Sequence, residues 1–349
     1  MIFMYIPIIL IGLYKFNIIK NKDSQVNILN SYNTNNIKGL ISFIIIFHHL
    51  SQRIDGNSLF LLRNIGYLIV GLFLFYSGYG LTKATLTKNN YLDTFWTKRL
   101  PKVLIPFILS NLLFIIGYRI FENKSYTLVE IISYILGIKL IDSFKWYIWT
   151  TIILYIGYYF IFKTFKKEKA IILMFVYVNI YFWLCYIFKV GGWWYNSIFS
   201  FFIGILFANF GDKIIEIVKN KYIYTLIPIT IFLAIYTYGI KNGNIFTATI
   251  ANVSFVISFI FISIKLRLGN KITTFLGTIS YEIYLVHRLV LDILSTRIEN
   301  RYMYVVSSVI GSIILAYLFS RIVKKVMKVM KVMIDKPQEY FGGENDTIC

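Results

Sequence analysis

Eleven apolar stretches follow one another along the chain, each close to the roughly 20 residues that a helix needs to cross the hydrocarbon core of a bilayer. They run approximately over residues 2–19, 37–54, 64–82, 103–121, 144–162, 170–188, 194–210, 222–240, 244–264, 275–294 and 303–321. In lipid every backbone N–H and C=O must be bonded inside its own segment, so apolar runs of this length are helices. The sequence therefore predicts an all-α protein, a polytopic integral membrane helical bundle of about 10–11 transmembrane helices. Composition agrees: 58% of the residues are apolar and 15% charged, where a soluble domain carries about 25% charge.

Two segments are less regular. The first stretch is free of charge only over Ile2–Tyr14. It lacks the basic start and small-residue cleavage site of a signal peptide, so it reads as a retained helix, and whether it spans stays open. Residues 127–140 hold Glu130 and Lys139 in an otherwise apolar pattern and read as a short helix at the interface or folded into the bundle.

Lys and Arg number 36 against 16 Asp and Glu, a net charge of +20. That balance alone is compatible with nucleic-acid binding, so the placement of the charges decides. With the C-terminus in the cytoplasm and alternating spans, 25 of the 36 cations fall on the inner side and 11 on the outer side or in outer halves of spans. This is the positive-inside pattern of a multi-pass protein of the plasma membrane. No soluble domain is left to carry a basic face, so no nucleic-acid partner is expected. Basic residues at helical spacing over Arg321–Lys331 suit either an anionic leaflet or a plain cytoplasmic helix end.

The organisation is one membrane domain over residues 37–321, preceded by an N-terminal helix and loop over 1–36 and followed by a basic cytoplasmic tail over 322–349. Lys20–Asn36, rich in Asn and Ser, reads as a loop. Two cysteines, Cys185 within an apolar run and Cys349 at the end, form no disulfide framework and no metal cluster.

All three histidines, His48, His49 and His287, lie within apolar spans. An ionisable group at membrane depth is costly, and imidazole moves protons near neutral pH, so a functional role stands beside that of a hydrogen-bonded packing residue. At about 1.5 Å per residue, His49 sits roughly 16 Å along its helix from Lys38, near mid-bilayer. Ser51, Gln52, Arg53 and Asp55 continue a polar path outward. Neighbouring residues point about 100° apart on a helix, so one of His48 and His49 faces a cavity squarely and the other supports it.

Lys38 followed by His49 after ten intervening residues resembles the signature of the membrane acyltransferase-3 family, which more often has Arg at the first position. Further segments resemble that family in its order. They are Val70–Gly80 with Ser77, Gly78 and Tyr79, then Phe95–Pro106 with Lys98, Arg99 and Lys102, and then Phe144–Trp149 with Trp146, followed by Tyr155. Ile198–Phe210 around Gly204 and Leu276–His287 with Ser280, Tyr281 and Tyr284 complete the series. The resemblance covers residues 37–321.

It implies transfer of an acyl group, most often acetyl from acetyl-CoA, to a hydroxyl of a cell-surface carbohydrate or lipid-linked glycan of the cell envelope. On that reading His49, or its neighbour His48, is the catalytic base, with a histidine-bound acyl group as the other route. Lys38, Lys98, Arg99 and Lys102 form a cationic inner mouth that suits the phosphates of the acyl-CoA cosubstrate, although positive-inside charge alone would also place them there. Ser77 and Gly78 open the backbone near substrate, while packing is the commoner role of glycine in a membrane helix. Ser280, Tyr281, Tyr284 and His287 share one helical face. Glu282 needs a partner, either Arg288 or a basic residue of another helix. No metal is expected. A secondary transporter or flippase for a glycan precursor is the rival class, disfavoured by the lack of an inverted repeat; a noncatalytic scaffold ranks last.

Overall fold

The computed structural model describes residues 2–14, 17–18, 29–54, 59–220, 223–267 and 269–335. Asp55, much of the polar Lys20–Asn36 segment, several inner-side lysines (Lys15, Lys20, Lys22, Lys221 and Lys336) and Cys349 lie outside the described residues. A 3-10 turn, Ile2–Met4, opens the chain and leads into α1 (Tyr5–Leu13), α2 (Ser31–Ser51), α3 (Phe60–Asn64), α4 (Gly66–Thr87) and α5 (Phe95–Lys98). The middle of the chain forms α6 (Pro101–Phe121), α7 (Leu128–Ile135), α8 (Trp146–Thr164), α9 (Lys167–Ile187) and α10 (Phe199–Asn220). The rest is α11 (Ile223–Asn242), α12 (Ile245–Lys265), α13 (Lys271–Thr278), α14 (Ser280–Ser295) and α15 (Arg301–Asp335). The described strands are two residues each, Asn17–Ile18 paired antiparallel with Leu266–Arg267.

The fold is an all-α polytopic membrane bundle. Five segments are long and apolar enough to cross a membrane by length and composition alone: Phe95–Phe121, Lys167–Ile187, Gly192–Val218, Ile245–Ile264 and Arg301–Met330. Ile223–Gly239 is a shorter apolar helix. On α15 the i, i+4 stripe Val306, Ile310, Ile314 and Leu318 leaves more than half of each side chain uncovered, while Tyr304, Ser308, Ser312 and Ala316 on the other face are buried. An apolar outside with small and polar residues inside is the arrangement expected of a helix bathed in lipid.

Several expected boundaries differ: α10 continues to Asn220 beyond the expected 210, and α15 continues to Asp335 beyond the expected 321, into the segment read as a tail. α1 has nine residues, about 14 Å, half of what a span needs. α2 begins at Ser31, six residues before its apolar run, with Asn30 as N-cap accepting from Asn33 N at 2.8 Å. The expected span over 275–294 is two helices, α13 and α14, broken at Ile279. The short helix expected within 127–140 is α7, opened by a capping box of Thr127 and Glu130. The Thr127 N–H and hydroxyl both donate to Glu130 and hold its carboxyl below the usual range.

α2 is the helix around which the site is built, packing against α13, α14, α4, α3 and α1. Its crossing with α13 is close enough to exclude side chains. A Cβ on Gly39 would lie 2.0 Å from the Thr273 carbonyl oxygen, and one on Gly277 would lie 2.1 Å from that of Asn35. Buried Asn36 accepts from the Thr273 and Thr274 hydroxyls at 2.7 and 2.8 Å, and Asn35 donates to the Thr274 carbonyl at 2.9 Å. These bonds satisfy the polar first turns of α2 inside the protein. On its other flanks α2 joins two apolar cores, one with α6, α8, α14 and α15, the other with α4, α10 and α12.

Candidate active site

The last turn of α2 presents both histidines, and their hydrogen bonds fix which nitrogen carries the proton. His48 Nδ1 lies 2.7 Å from the Leu62 carbonyl oxygen. A carbonyl only accepts, so Nδ1 is the protonated nitrogen of neutral His48 and Nε2 is an acceptor. Gln52 Nε2 donates to that atom at 3.2 Å, which turns the amide oxygen of Gln52 toward His49 Nδ1 at 3.0 Å. His49 must donate there, leaving its Nε2 as a bare base. Both rings line one chamber, but both His48 nitrogens are engaged, so the free base belongs to His49.

The His49 ring is held between two others. Phe144 lies 4.1 Å away by ring centroids and His287 stacks at 5.1 Å with 27° between planes. His287 Nδ1 donates to the Ile283 and Tyr284 carbonyls at 2.9 and 3.0 Å, so its Nε2 is also unprotonated, and it is buried with no hydrogen-bond partner among the described residues. The Arg288 guanidinium sits 4.1 Å over the Phe144 ring and reaches Asp142 at 3.5 Å. Asp292 gathers Arg53, Arg288 and the Tyr118 hydroxyl, the last at 2.7 Å. Arg63 donates to the Ser51 carbonyl at 2.7 Å and to that of Ile54, capping the C-terminal end of α2. Lys145 is buried, donating to Ser110 and Asn111 at 2.9 and 2.8 Å.

Two cavities meet here. The histidine chamber, about 380 Å³, is lined by His48, His49, Gln52, Phe144 and Trp146 among others. A second cavity of about 220 Å³ carries Lys38, Arg99 and Lys102 together with Ser77, Ser280 and Tyr281. Ile45, Val70, Tyr147 and Tyr284 line both, forming a collar between them. The phenols are fixed: Tyr284 donates to the Phe144 carbonyl and Tyr281 donates to that of Val103 at 2.9 Å. Arg99 donates to the Tyr155 hydroxyl at 2.5 Å, whose own proton then faces Ser77 Oγ at 2.6 Å.

Of the residues singled out from sequence, the structure thus brings Lys38, Arg99, Lys102, Ser77, Ser280, Tyr281 and Tyr284 to one cavity and His48, His49, Trp146 and again Tyr284 to the adjoining one, with His287 stacked behind His49. Three lie elsewhere. Lys98 is exposed and lines neither cavity. Gly78 is a packing contact with α10, where an added Cβ would meet the Phe201 carbonyl oxygen at 2.1 Å. Tyr79 is buried in the core beside Phe75 and Phe207. Arg288, one of the two partners considered for Glu282, pairs instead with Asp142 and Asp292. Asp142 and Asp292 are brought to the site without a sequence motif to mark them, whereas Gln52 stands in the sequence as part of the polar path and Tyr155 as the residue that follows the Phe144–Trp149 segment; the i+3 spacing of Gln52 from His49 is the signal for its role. Among the described residues no cluster of three or more His, Cys, Asp or Glu is placed to hold a metal.

A polytopic helical bundle with a histidine chamber joined to a cationic cavity defines a membrane protein with an internal candidate site. A family model described as an acyltransferase domain matches residues 31–321, most of the chain. The chain belongs to the acyltransferase-3 family and is a membrane acyltransferase. No curated protein and no solved structure gave a significant match.

Proposed function

We propose that the protein transfers an acyl group, acetyl first among them, from acyl-CoA to a hydroxyl of a cell-surface carbohydrate or glycolipid. In this reading it works in the plasma membrane with its C-terminus in the cytoplasm. The observation that carries the reading is the unprotonated His49 Nε2 in a chamber that shares a collar with a cavity bearing Lys38, Arg99 and Lys102.

In this reaction the cations meet the coenzyme phosphates, and the pantetheine arm passes the collar to bring the thioester to the chamber. The acceptor hydroxyl gives its proton to His49 Nε2 while its oxygen attacks the thioester carbonyl. The tetrahedral intermediate then collapses, the C–S bond breaks, and the thiolate takes the proton back from the His49 imidazolium. An ester and free CoA result, and His49 is restored. Gln52, through its bond to Nδ1, keeps Nε2 the basic nitrogen and stabilises the imidazolium, as an orienting acceptor does in other histidine-base sites.

The test is acyl transfer by purified protein in lipid nanodiscs with acetyl-CoA and an extract of envelope glycans. Wild type should release CoA and ester-linked acetyl in equal amounts, and His49→Ala should lose about 10²–10⁴-fold in rate. A His49→Ala protein with wild-type turnover removes the assignment of the base. Uptake of glycan precursor into sealed proteoliposomes carrying the protein, with no CoA release in the transfer assay, supports the transporter instead.

A further inference from the structure

The histidine chamber has a second neighbour, on another side from the cationic cavity. A groove of about 830 Å³ runs between α11, the start of α12 and the Gly192–Asn196 turn, and it shares Tyr67 and Trp193 with the chamber. It has no lining residue in common with the cationic cavity. The histidines thus stand between two compartments of different chemistry.

The two linings differ in chemistry. The inner cavity carries three cations; among the described residues the groove is lined by no Asp, Glu, Lys or Arg. Its walls are aromatic rings, Tyr67, Trp193 and Tyr236 among them, with the side-chain amides of Asn64, Asn196 and Asn244 between. Flat apolar faces interleaved with neutral donors and acceptors fit a ring compound whose faces are C–H and whose edges are hydroxyl. A phosphate or carboxylate would find no countercharge among the described lining residues, at the cost of losing its hydration. The wall toward the chamber is also firm: Ser197 and Asn252 both donate to the Tyr67 carbonyl, at 2.9 and 2.6 Å, and Ser200 donates to Asn252 at 2.6 Å. The Tyr67 backbone is therefore fixed where groove and chamber adjoin.

The geometry points to this groove as the acceptor site, taking an uncharged sugar residue whose hydroxyl is presented past Tyr67 and Trp193 to His49. The inference rests on the acyl-transfer reading, and it assigns the two reactants to opposite approaches to one base.

Two variants test it in cells that make the natural acceptor. Ala248→Trp fills the groove from α12, and Tyr236→Ala removes a ring from its far wall; neither residue lines the histidine chamber or the cationic cavity. Alkali-released acyl from the envelope should fall at least about tenfold in both, while each purified variant binds acetyl-CoA with wild-type affinity, which also shows that it is folded. Mass spectrometry of the digested envelope should place the acyl ester on an uncharged sugar. Wild-type acyl content in a variant that binds acetyl-CoA overturns the groove, and acyl on a uronic acid or phosphorylated residue overturns the ligand class. If cells with the wild-type protein release no more acyl than cells lacking it, the acyl-transfer reading itself has failed, a result distinguishable from either.

Discussion

The side-chain amide of Gln52 accepts from His49 Nδ1 at 3.0 Å, and by doing so it decides which nitrogen of His49 can act as a base. Gln52→Leu removes that acceptor and lets the proton settle on either nitrogen. Turnover should fall about tenfold or more, with the KM for acyl-CoA little changed, because the donor's phosphates bind elsewhere. Gln52→Glu keeps an acceptor for His49 but loses the donor to His48, so its rate should lie between wild type and Gln52→Leu. If the two variants are equally active, tautomer control by residue 52 is not what the site uses.

Gly66 opens α4 directly against the His48 ring: a Cβ built there would stand 2.2 Å from His48 Nε2. Gly66→Ala must push the ring away from Gln52 or shift α4. Overpacking of this kind costs about 1–3 kcal/mol. The expected outcome is a folded protein with a lowered melting temperature and a larger loss in transfer rate than in acetyl-CoA affinity. Transfer at the wild-type rate would mean that the His48–Gln52 contact is dispensable.

How far the sequence revealed this site depended on how local each signal was. The bilayer imposes a length on each apolar run, so the long helices were visible one by one, and the His48-His49 doublet stood out because ionisable groups are rare among such runs. The start of α2 was hidden by its own composition. Asn30 to Asn36 has the look of a loop, and only the hydroxyls of Thr273 and Thr274, more than 230 residues away, make a buried helical Asn36 affordable. Most of the Asp292 cluster is illegible for the same reason: Arg53 and Tyr118 reach Asp292, and Asp142 reaches Arg288, from separate segments, and the i, i+4 spacing of Arg288 and Asp292 on α14 is the one local signal. Gly78 and Tyr79 sit in a recognisable motif, yet the helix carries them away from the cavity that Ser77 faces, since successive residues turn by about 100°.

The cationic cavity separates residues that sequence alone grouped together. Lys38, Arg99 and Lys102 line it and Lys98 does not. A charge-assisted hydrogen bond to phosphate is worth about 1.5–3 kcal/mol, so Arg99→Gln or Lys102→Gln should raise the KM for acyl-CoA about 10-fold to 100-fold. Lys98→Gln should shift it by less than about threefold, as expected for an exposed charge acting through solvent. Steady-state kinetics at two ionic strengths checks this, because the wild-type KM should rise with salt and the Arg99→Gln protein should show a shallower dependence. Equal effects at positions 98 and 99 would point to diffuse attraction by the basic loop and not to contact within the cavity.

Asp292 is the anion on which the outer side of the site depends. It joins Arg53, just past the end of the histidine helix, to Arg288, which covers Phe144, which in turn packs on His49. Asp292→Asn preserves shape but leaves two guanidinium groups without their shared partner. All three groups retain some exposure, so the penalty is smaller than for a dry ion pair, about 1–3 kcal/mol. Denaturant unfolding in micelles should show that loss together with reduced turnover, as the ring against His49 loses its support. A double-mutant cycle with Arg53→Gln should give a coupling energy of about 0.5–3 kcal/mol, since both changes break one contact. Strict additivity would mean that Asp292 serves Arg288 and Tyr118 alone, and that the end of α2 is held by Arg63 through the Ser51 and Ile54 carbonyls.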